Sequence, residues 1–174
     1  MKASWPKLMT GKNLLIAAAL LACPVVATAQ DAPATDAHDV SQDMAWHSAQ
    51  QLYLASLKSS DGWQALPGGL RWRRIAGDGT GPHPTVADTV TVHYAGTFID
   101  GSGFDSSYER NEPATFPLGR LIPAWQMAIP EMGVGDTIEI AAPATLAYGP
   151  TGKGPIPGGA TLLFKVELLG IEGR

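Results

Sequence analysis

The chain has 174 residues, of which 45% are hydrophobic and 16% are charged, and its formal net charge is −4. The lone cysteine excludes an internal disulfide and a cysteine-based zinc site. The acidic balance excludes a basic surface for nucleic acid, and the hydrophobic share excludes a disordered chain. The length suits one ordinary domain, and 20 glycines with 14 prolines predict many turns between short elements.

The first 29 residues have the composition of a bacterial secretory signal peptide. Three lysines precede an apolar run at residues 14–22, and small residues follow up to Ala29. The run is too short to span a bilayer, which needs about 20 apolar residues. We therefore predict export to the periplasm with cleavage after Ala29. The alternative is a membrane-anchored lipoprotein, because the sequence Leu-Leu-Ala-Cys resembles the signal that directs lipidation of Cys23.

Residues 30–65 are predicted to form a flexible tether followed by a short helix. Residues 30–43 are rich in Ala, Asp, Pro and Thr, a composition typical of flexible linkers. The following stretch contains no Gly or Pro and places apolar side chains at helical spacing, which predicts a helix over Met44–Lys58. Such a helix could pack on the domain that follows, on a second copy of the chain, or on nothing stable.

From Leu70 onward apolar and polar residues alternate as they do in strands. The alternation is clearest over residues 89–94, and it recurs at residues 70–75, 137–140 and 162–168. A short helix is expected between Pro123 and Pro130, because proline suits the first position of a helix. The pattern predicts a small α+β domain in which an antiparallel sheet packs on one short helix.

Several local patterns suggest chemistry that their surroundings do not support. The glycine-rich run at residues 77–81 precedes prolines rather than a helix, which argues against a phosphate-binding loop. The four histidines lack metal-ligand spacing, and no serine lies in the setting of a nucleophile. The sequence therefore predicts no metal centre, no covalent catalysis and no cofactor.

Seven short motifs carry the most specific information. In chain order they are Val-His-Tyr-Ala-Gly (92–96), Phe-Asp-Ser-Ser (104–107), Phe-Pro-Leu (116–118), Leu-Ile-Pro-Ala-Trp (121–125), Ala-Tyr-Gly (147–149), Ile-Pro (156–157) and Ala-Thr-Leu-Leu-Phe-Lys-Val-Glu-Leu-Leu (160–169). Their order and spacing closely resemble the FKBP family of peptidyl-prolyl cis-trans isomerases, and the resemblance covers residues 66–174. It implies an α+β fold in which a curved antiparallel sheet, a half-barrel, wraps around one short helix, with a pocket between them.

The resemblance also implies which residues form that pocket. Trp125 would form its floor, and the Tyr148 hydroxyl and the Ile122 N–H would hold substrate carbonyls. Arg110 would pair with Asp105. The implied catalytic residues are Tyr94, Phe104, Asp105 and Tyr148, and the implied substrate-binding residues are Phe116, Leu121, Ile122, Trp125, Ile156 and Phe164.

The implied activity is the rotation of X–Pro bonds in unfolded or extended polypeptides during the folding of exported proteins. Cis and trans X–Pro bonds differ by only about 0.5–1 kcal/mol, but a barrier of about 18–20 kcal/mol separates them. An apolar pocket that favours the twisted amide over the planar one would lower this barrier without a cofactor. The alternative function is a chaperone or binding module that holds unfolded clients in the same cup.

Two positions depart from the family pattern. Ala124 precedes Trp125 where bacterial members commonly carry glycine, which preserves the helix but can shift the pocket floor. Pro155 precedes Ile156 where many relatives carry an apolar or flexible residue, so affinity for macrolide inhibitors and the preference for the residue before proline stay open. We expect a monomer or weak dimer, with membrane contact only if Cys23 is lipidated.

Overall fold

The computed structural model describes residue 40 and residues 43–173. The predicted signal peptide over residues 1–29, including Cys23, and most of the predicted tether lie outside the described residues. The described part forms two α-helices, α1 (Met44–Ser56) and α2 (Pro123–Ala128), and one seven-stranded sheet. The strands are β1 (Gln64–Ala65), β2 (Arg71–Ala76), β3 (Thr89–Phe98), β4 (Gly103–Ser106), β5 (Ala114–Pro117), β6 (Thr137–Ala142) and β7 (Leu162–Ile171).

The sheet is open and entirely antiparallel. Its strand order is β1-β2-β6-β7-β3-β4, and β5 also pairs with β3. The two ten-residue strands β3 and β7 form its centre, paired from Val90 with Ile171 to Phe98 with Leu162. Register shifts in three of the pairings mark β-bulges, which bend and twist strands. The predicted curved antiparallel sheet is confirmed, and the alternation over residues 89–94 lies inside β3.

The core lies between α2 and one face of the sheet. Pro123 begins α2 as predicted, and a 3₁₀ turn over Ile129–Glu131 continues it. Ala124, Trp125 and Ala128 are the buried residues of α2. They pack with the inward side chains of the central strands, namely Val90, Val92, Ile138, Ile140, Val166 and Leu168. Helix α2 therefore packs against this face of the sheet together with the buried 3₁₀-turn residues Leu118 and Ile129.

Helix α1 packs on this domain through one side. The helix predicted over Met44–Lys58 is present but ends at Ser56, and the Asp43 side chain caps it by accepting hydrogen bonds from two backbone N–H groups of the first turn. Trp46 packs against the core and Gln50 is buried. Of the three arrangements that the sequence left open, packing on the following domain is the one observed. None of the helices in the described part of the chain is long and apolar enough to cross a membrane.

The glycine-rich run at residues 77–81 is a packing contact. The Gly79 N–H donates to the buried Asp136 carboxylate at 3.0 Å. A Cβ atom at Gly81 would lie 2.4 Å from the Val134 carbonyl oxygen, so only glycine fits there. The run lies against the turn that contains Val134 and Asp136, just before β6. Side chains at its first and last glycines would collide with that turn, which is why glycines are found there.

Candidate active site

Nine of the ten predicted site residues surround one cavity of about 230 Å³ between α2 and the sheet. The tenth, Ile156, is buried with 8% of its surface exposed and is not among the residues that line the cavity. A pair of backbone hydrogen bonds between Lys153 and Ile156 folds this part of the loop back on itself. The lining residues are Tyr94, Phe104, Asp105, Phe116, Leu121, Ile122, Trp125, Tyr148 and Phe164.

Trp125 lies at the centre of the aromatic side chains. Its ring centroid is 5.4 Å from that of Tyr94, 5.5 Å from Phe164 and 6.3 Å from Phe116, with interplanar angles between 78° and 88°. Edge-to-face pairs of this kind each contribute about 0.5–1.5 kcal/mol beyond burial. The indole is therefore held in one orientation, and only 4% of Trp125 is exposed.

Phe104 forms a second wall of the cavity. Its ring packs against strand β3 at Gly96, where the strand has no side chain. Its ring stands at 90° to that of Phe164, with the centroids 5.7 Å apart. A Cβ atom at Gly96 would lie 2.5 Å from the Phe104 Cζ atom. Glycine at position 96, the last residue of the first motif, thus provides the space that the ring occupies.

A polar triad lies at the edge of this apolar cup. The Tyr94 hydroxyl donates to Asp105 Oδ2 at 2.5 Å, and Arg110 donates to Asp105 Oδ1 at 2.5 Å and to the Tyr94 oxygen at 3.0 Å. The predicted pair of Arg110 with Asp105 is present. Partial burial raises the pKa of Asp105, but the hydrogen bonds from Tyr94 and Arg110 outweigh it and keep that pKa below its usual value. Asp105 is therefore a fixed anion at neutral pH.

The Tyr148 hydroxyl is a donor available to a ligand. Within the described part of the chain it has no hydrogen-bond partner, and the same holds for the Ile122 N–H at the start of α2. Burial, and then the charge of Asp105, raises the pKa of Tyr148, so its proton is retained well above neutral pH. Two donors thus border the cavity without an internal acceptor, and the buried Trp125 Nε1–H is a third donor that has no partner among the described residues.

Two residues near the site were not predicted from the sequence. Ser107 is fully buried, and its Oγ accepts the Tyr94 N–H at 2.7 Å, which holds β3 against the chain after β4. The Lys153 ammonium lies 5.6 Å from the centroid of the Tyr148 ring. Ser107 could have been found because it belongs to the Phe-Asp-Ser-Ser motif, whereas the position of Lys153 depends on the path of its loop.

Comparison with known proteins agrees with this architecture. The family model for FKBP-type peptidyl-prolyl cis-trans isomerases matches residues 81–169. The isomerase FkpA of Aeromonas hydrophila is 46% identical over 120 residues, which are 69% of this chain and 44% of that protein. The outer membrane protein MIP of Legionella longbeachae is 45% identical over 121 residues, which are 69% of this chain and 52% of that protein.

The solved structures agree as well. The crystal structure of FkpA from Escherichia coli matches with a TM-score of 0.68 and 37% identity, covering 71% of this chain and 58% of that one. The chain thus shares the fold of this solved structure over the matched part. The chain belongs to the FKBP-type peptidyl-prolyl cis-trans isomerase family, as its motifs predict. It spans about half the length of the curated relatives it matches.

Proposed function

We propose that this protein is a peptidyl-prolyl cis-trans isomerase that accelerates X–Pro rotation in exported polypeptides as they fold. The observation that carries the proposal is the convergence of nine motif residues on one aromatic cavity bordered by two unpaired donors. A small, concave and mostly apolar site with a few polar groups is what binding of a prolyl side chain requires. Family membership supports the same activity.

The cavity would act by favouring the twisted amide. A planar X–Pro bond is stabilised by conjugation and has a large dipole, and both decrease as the bond rotates. In an apolar cavity the polar planar amide is less well solvated than in water, and the less polar twisted amide loses less. The free-energy difference between the planar and twisted forms therefore falls. Lowering the barrier by about 5–7 kcal/mol would accelerate rotation by four to five powers of ten.

Each predicted catalytic residue has a role in this scheme. Phe104 would exclude water from the amide, and the Tyr148 hydroxyl and Ile122 N–H would donate to substrate carbonyl oxygens. Asp105 and Tyr94 would hold one another at the edge of the cavity. The prolyl ring would contact Phe116, Leu121, Ile122, Trp125 and Phe164, with Ile156 supporting the loop from the core side.

Replacing Tyr148 with phenylalanine is expected to lower kcat/KM about fivefold on a proline tetrapeptide in a protease-coupled assay. The change removes one neutral hydrogen bond, which contributes about 0.5–1.5 kcal/mol. Tyr108→Phe is the matched control, because the Tyr108 hydroxyl bonds Glu167 outside the cavity. Full turnover in a variant that combines Phe104→Ala with Tyr148→Phe would refute the assignment. Peptide binding by the wild-type protein without acceleration would identify a binding module instead.

Gly96→Ala is expected to lower kcat/KM about tenfold, because the new methyl group displaces the Phe104 ring from the cavity wall. Gly103→Ala in the paired strand β4 is the control, since a Cβ atom there would meet its nearest neighbour at 3.9 Å. The same assay measures both variants. Equal activity of the two would show that the position of the Phe104 ring does not matter for turnover.

The proposal includes export, for which the name of the Legionella longbeachae relative, an outer membrane protein, offers support. Cleavage after Ala29 would release a periplasmic enzyme, whereas lipidation of Cys23 would anchor it. The mass of the mature N-terminus distinguishes the two. Its partners would be proline-containing polypeptides and macrolide inhibitors, bound by a monomer or weak dimer.

A further inference from the structure

Helix α1 contacts the loop that directly follows Tyr148, residues 149–161. The Trp46 Nε1 atom donates to the Gly158 carbonyl at 3.4 Å. One turn later, the Gln50 Oε1 atom accepts the Thr161 N–H at 2.8 Å. Gln50 is 3% exposed and Thr161 is 2% exposed, so water cannot replace this hydrogen bond.

A third contact lies between these two. Gly159 has a φ of +78°, and a Cβ atom there would lie 2.4 Å from the His47 Cε1 atom. Any larger residue would have to move either the helix side chain or the loop. Positions 46, 47 and 50 share one side of an α-helix, so α1 contacts the loop continuously from residue 158 to residue 161.

The loop in turn contacts Tyr148, which precedes it in the chain and lines the cavity. The Gly159 N–H donates to the Gly149 carbonyl at 3.0 Å, which joins the two ends of the loop directly beside Tyr148. From within the loop, the Lys153 ammonium lies over the Tyr148 ring. A displacement of residues 158–161 would therefore move Gly149, and with it the neighbouring Tyr148, through the Gly159–Gly149 backbone hydrogen bond.

Burial of the Gln50 side chain is energetically unfavourable, which indicates that its contact with Thr161 has a role beyond packing. Its Nε2 atom is buried without a partner in the described part of the chain. A buried donor without an acceptor is unfavourable, and an apolar residue would fill the same space without that cost. The Oε1 atom, however, is the acceptor that keeps the Thr161 N–H from being unpaired.

We propose that α1 is an intramolecular brace, which holds the 149–161 loop so that Tyr148 lines the cavity, and that Gln50 is a positioning residue. The inference rests on the proposed isomerase function for its kinetic consequence. Without the brace, the binding-competent loop conformation would be only a fraction of the population. The apparent affinity is the intrinsic affinity multiplied by that fraction, so KM rises. A bound substrate still contacts the same groups, so kcat is unchanged.

The first test compares Gln50→Ala with Gln51→Ala in the full-length chain, using the same proline tetrapeptide. Gln51 is the neighbouring residue and is exposed, so it controls for helix propensity. We expect Gln50→Ala to raise KM about fivefold with kcat changed less than twofold, and Gln51→Ala to change neither. Gln50→Met fills the same space without the acceptor and is expected to raise KM as Gln50→Ala does, which separates the hydrogen bond from packing. A loss confined to kcat would overturn the positioning role.

The second test changes the loop side of the contact. Gly159→Ala is compared with Gly154→Ala, because Gly154 also has positive φ, +57°, but a Cβ atom there would have no neighbour within 4 Å. We expect only Gly159→Ala to raise KM, and we expect the added change His47→Ala to reverse part of that increase. Equal KM values in the two glycine variants would overturn the brace.

Hydrogen exchange separates failure of this inference from failure of the proposed function. The Thr161 and Gly149 amides are bonded to Gln50 and to the Ala144 carbonyl, respectively. Gln50→Ala is expected to accelerate exchange at both by at least fivefold relative to Gln51→Ala, while the amides of β3 keep their protection. Unchanged Gly149 exchange would overturn the brace, whether or not the wild-type protein isomerises peptides.

Discussion

Trp125→Leu is expected to lower kcat/KM for a proline tetrapeptide at least thirtyfold, the largest effect of any single change on activity. Leucine cannot replace the three edge-to-face contacts that Trp125 makes with Tyr94, Phe116 and Phe164. The floor of the cavity would then be open and the remaining rings free to tilt. A thirtyfold decrease corresponds to about 2 kcal/mol of lost transition-state stabilisation.

Trp72→Leu is the control that separates catalysis from stability. Trp72 and Trp125 are both 4% exposed and both belong to the core, but Trp72 does not line the cavity. Each substitution should cost about 2–4 kcal/mol of unfolding free energy, because each removes a large buried side chain. Activity is compared below both melting temperatures. Equal activity in the two variants would contradict the assignment of Trp125 as the floor.

Asp136→Ala is expected to lower the free energy of unfolding by about 3 kcal/mol, the largest effect on stability from one polar group. Asp136 is 2% exposed, and its carboxylate accepts hydrogen bonds from Arg74 at 3.0 Å, Gly79 at 3.0 Å and Gly133 at 2.8 Å. Its removal leaves these donors without their acceptor, which costs much more than the loss of an exposed pair. Denaturant titration measures the change.

Glu139→Ala is the matched control for that measurement. Glu139 and Arg73 form an ion pair with a 2.6 Å distance, but about a third of each side chain is exposed. Exposed pairs of this kind contribute about 0–1 kcal/mol, because water screens the charges and the freed side chains regain entropy. A loss from Glu139→Ala equal to that from Asp136→Ala would show that burial of Asp136 has no special effect.

Local sequence patterns predicted the elements that are long enough to show a periodicity or that begin at a distinctive residue. Strand β3 was predictable because its residues alternate between the half-buried and buried faces over the first eight of its ten positions. Strands β4 and β5 were not predicted with bounds of their own, because four residues are too few for a period of two to be distinguished. The start of α2 was predictable because Pro123 sets its own φ angle.

The candidate site was predictable to the extent that it consists of motif residues. Nine of them line the cavity. Six of the nine lie on strands or on α2, whose positions in the fold are set by the sheet, and Leu121, Ile122 and Tyr148 lie in the turns between elements. Ile156 is a different case because it lies inside the 149–161 loop, which folds back on itself. The backbone bonds between Lys153 and Ile156 determine where the loop side chains point, and no periodicity in the sequence encodes them.

The sequence by itself thus determined the class of fold, the central strands, the short helix and nine of the ten residues predicted for the cavity. Only the tertiary structure decided that α1 packs against the 149–161 loop, and that the glycines at residues 77–81 serve the burial of Asp136. The physical reason is separation along the chain. Gln50 and Thr161 are 111 residues apart, and a hydrogen bond over that distance leaves no local pattern of hydrophobicity or spacing.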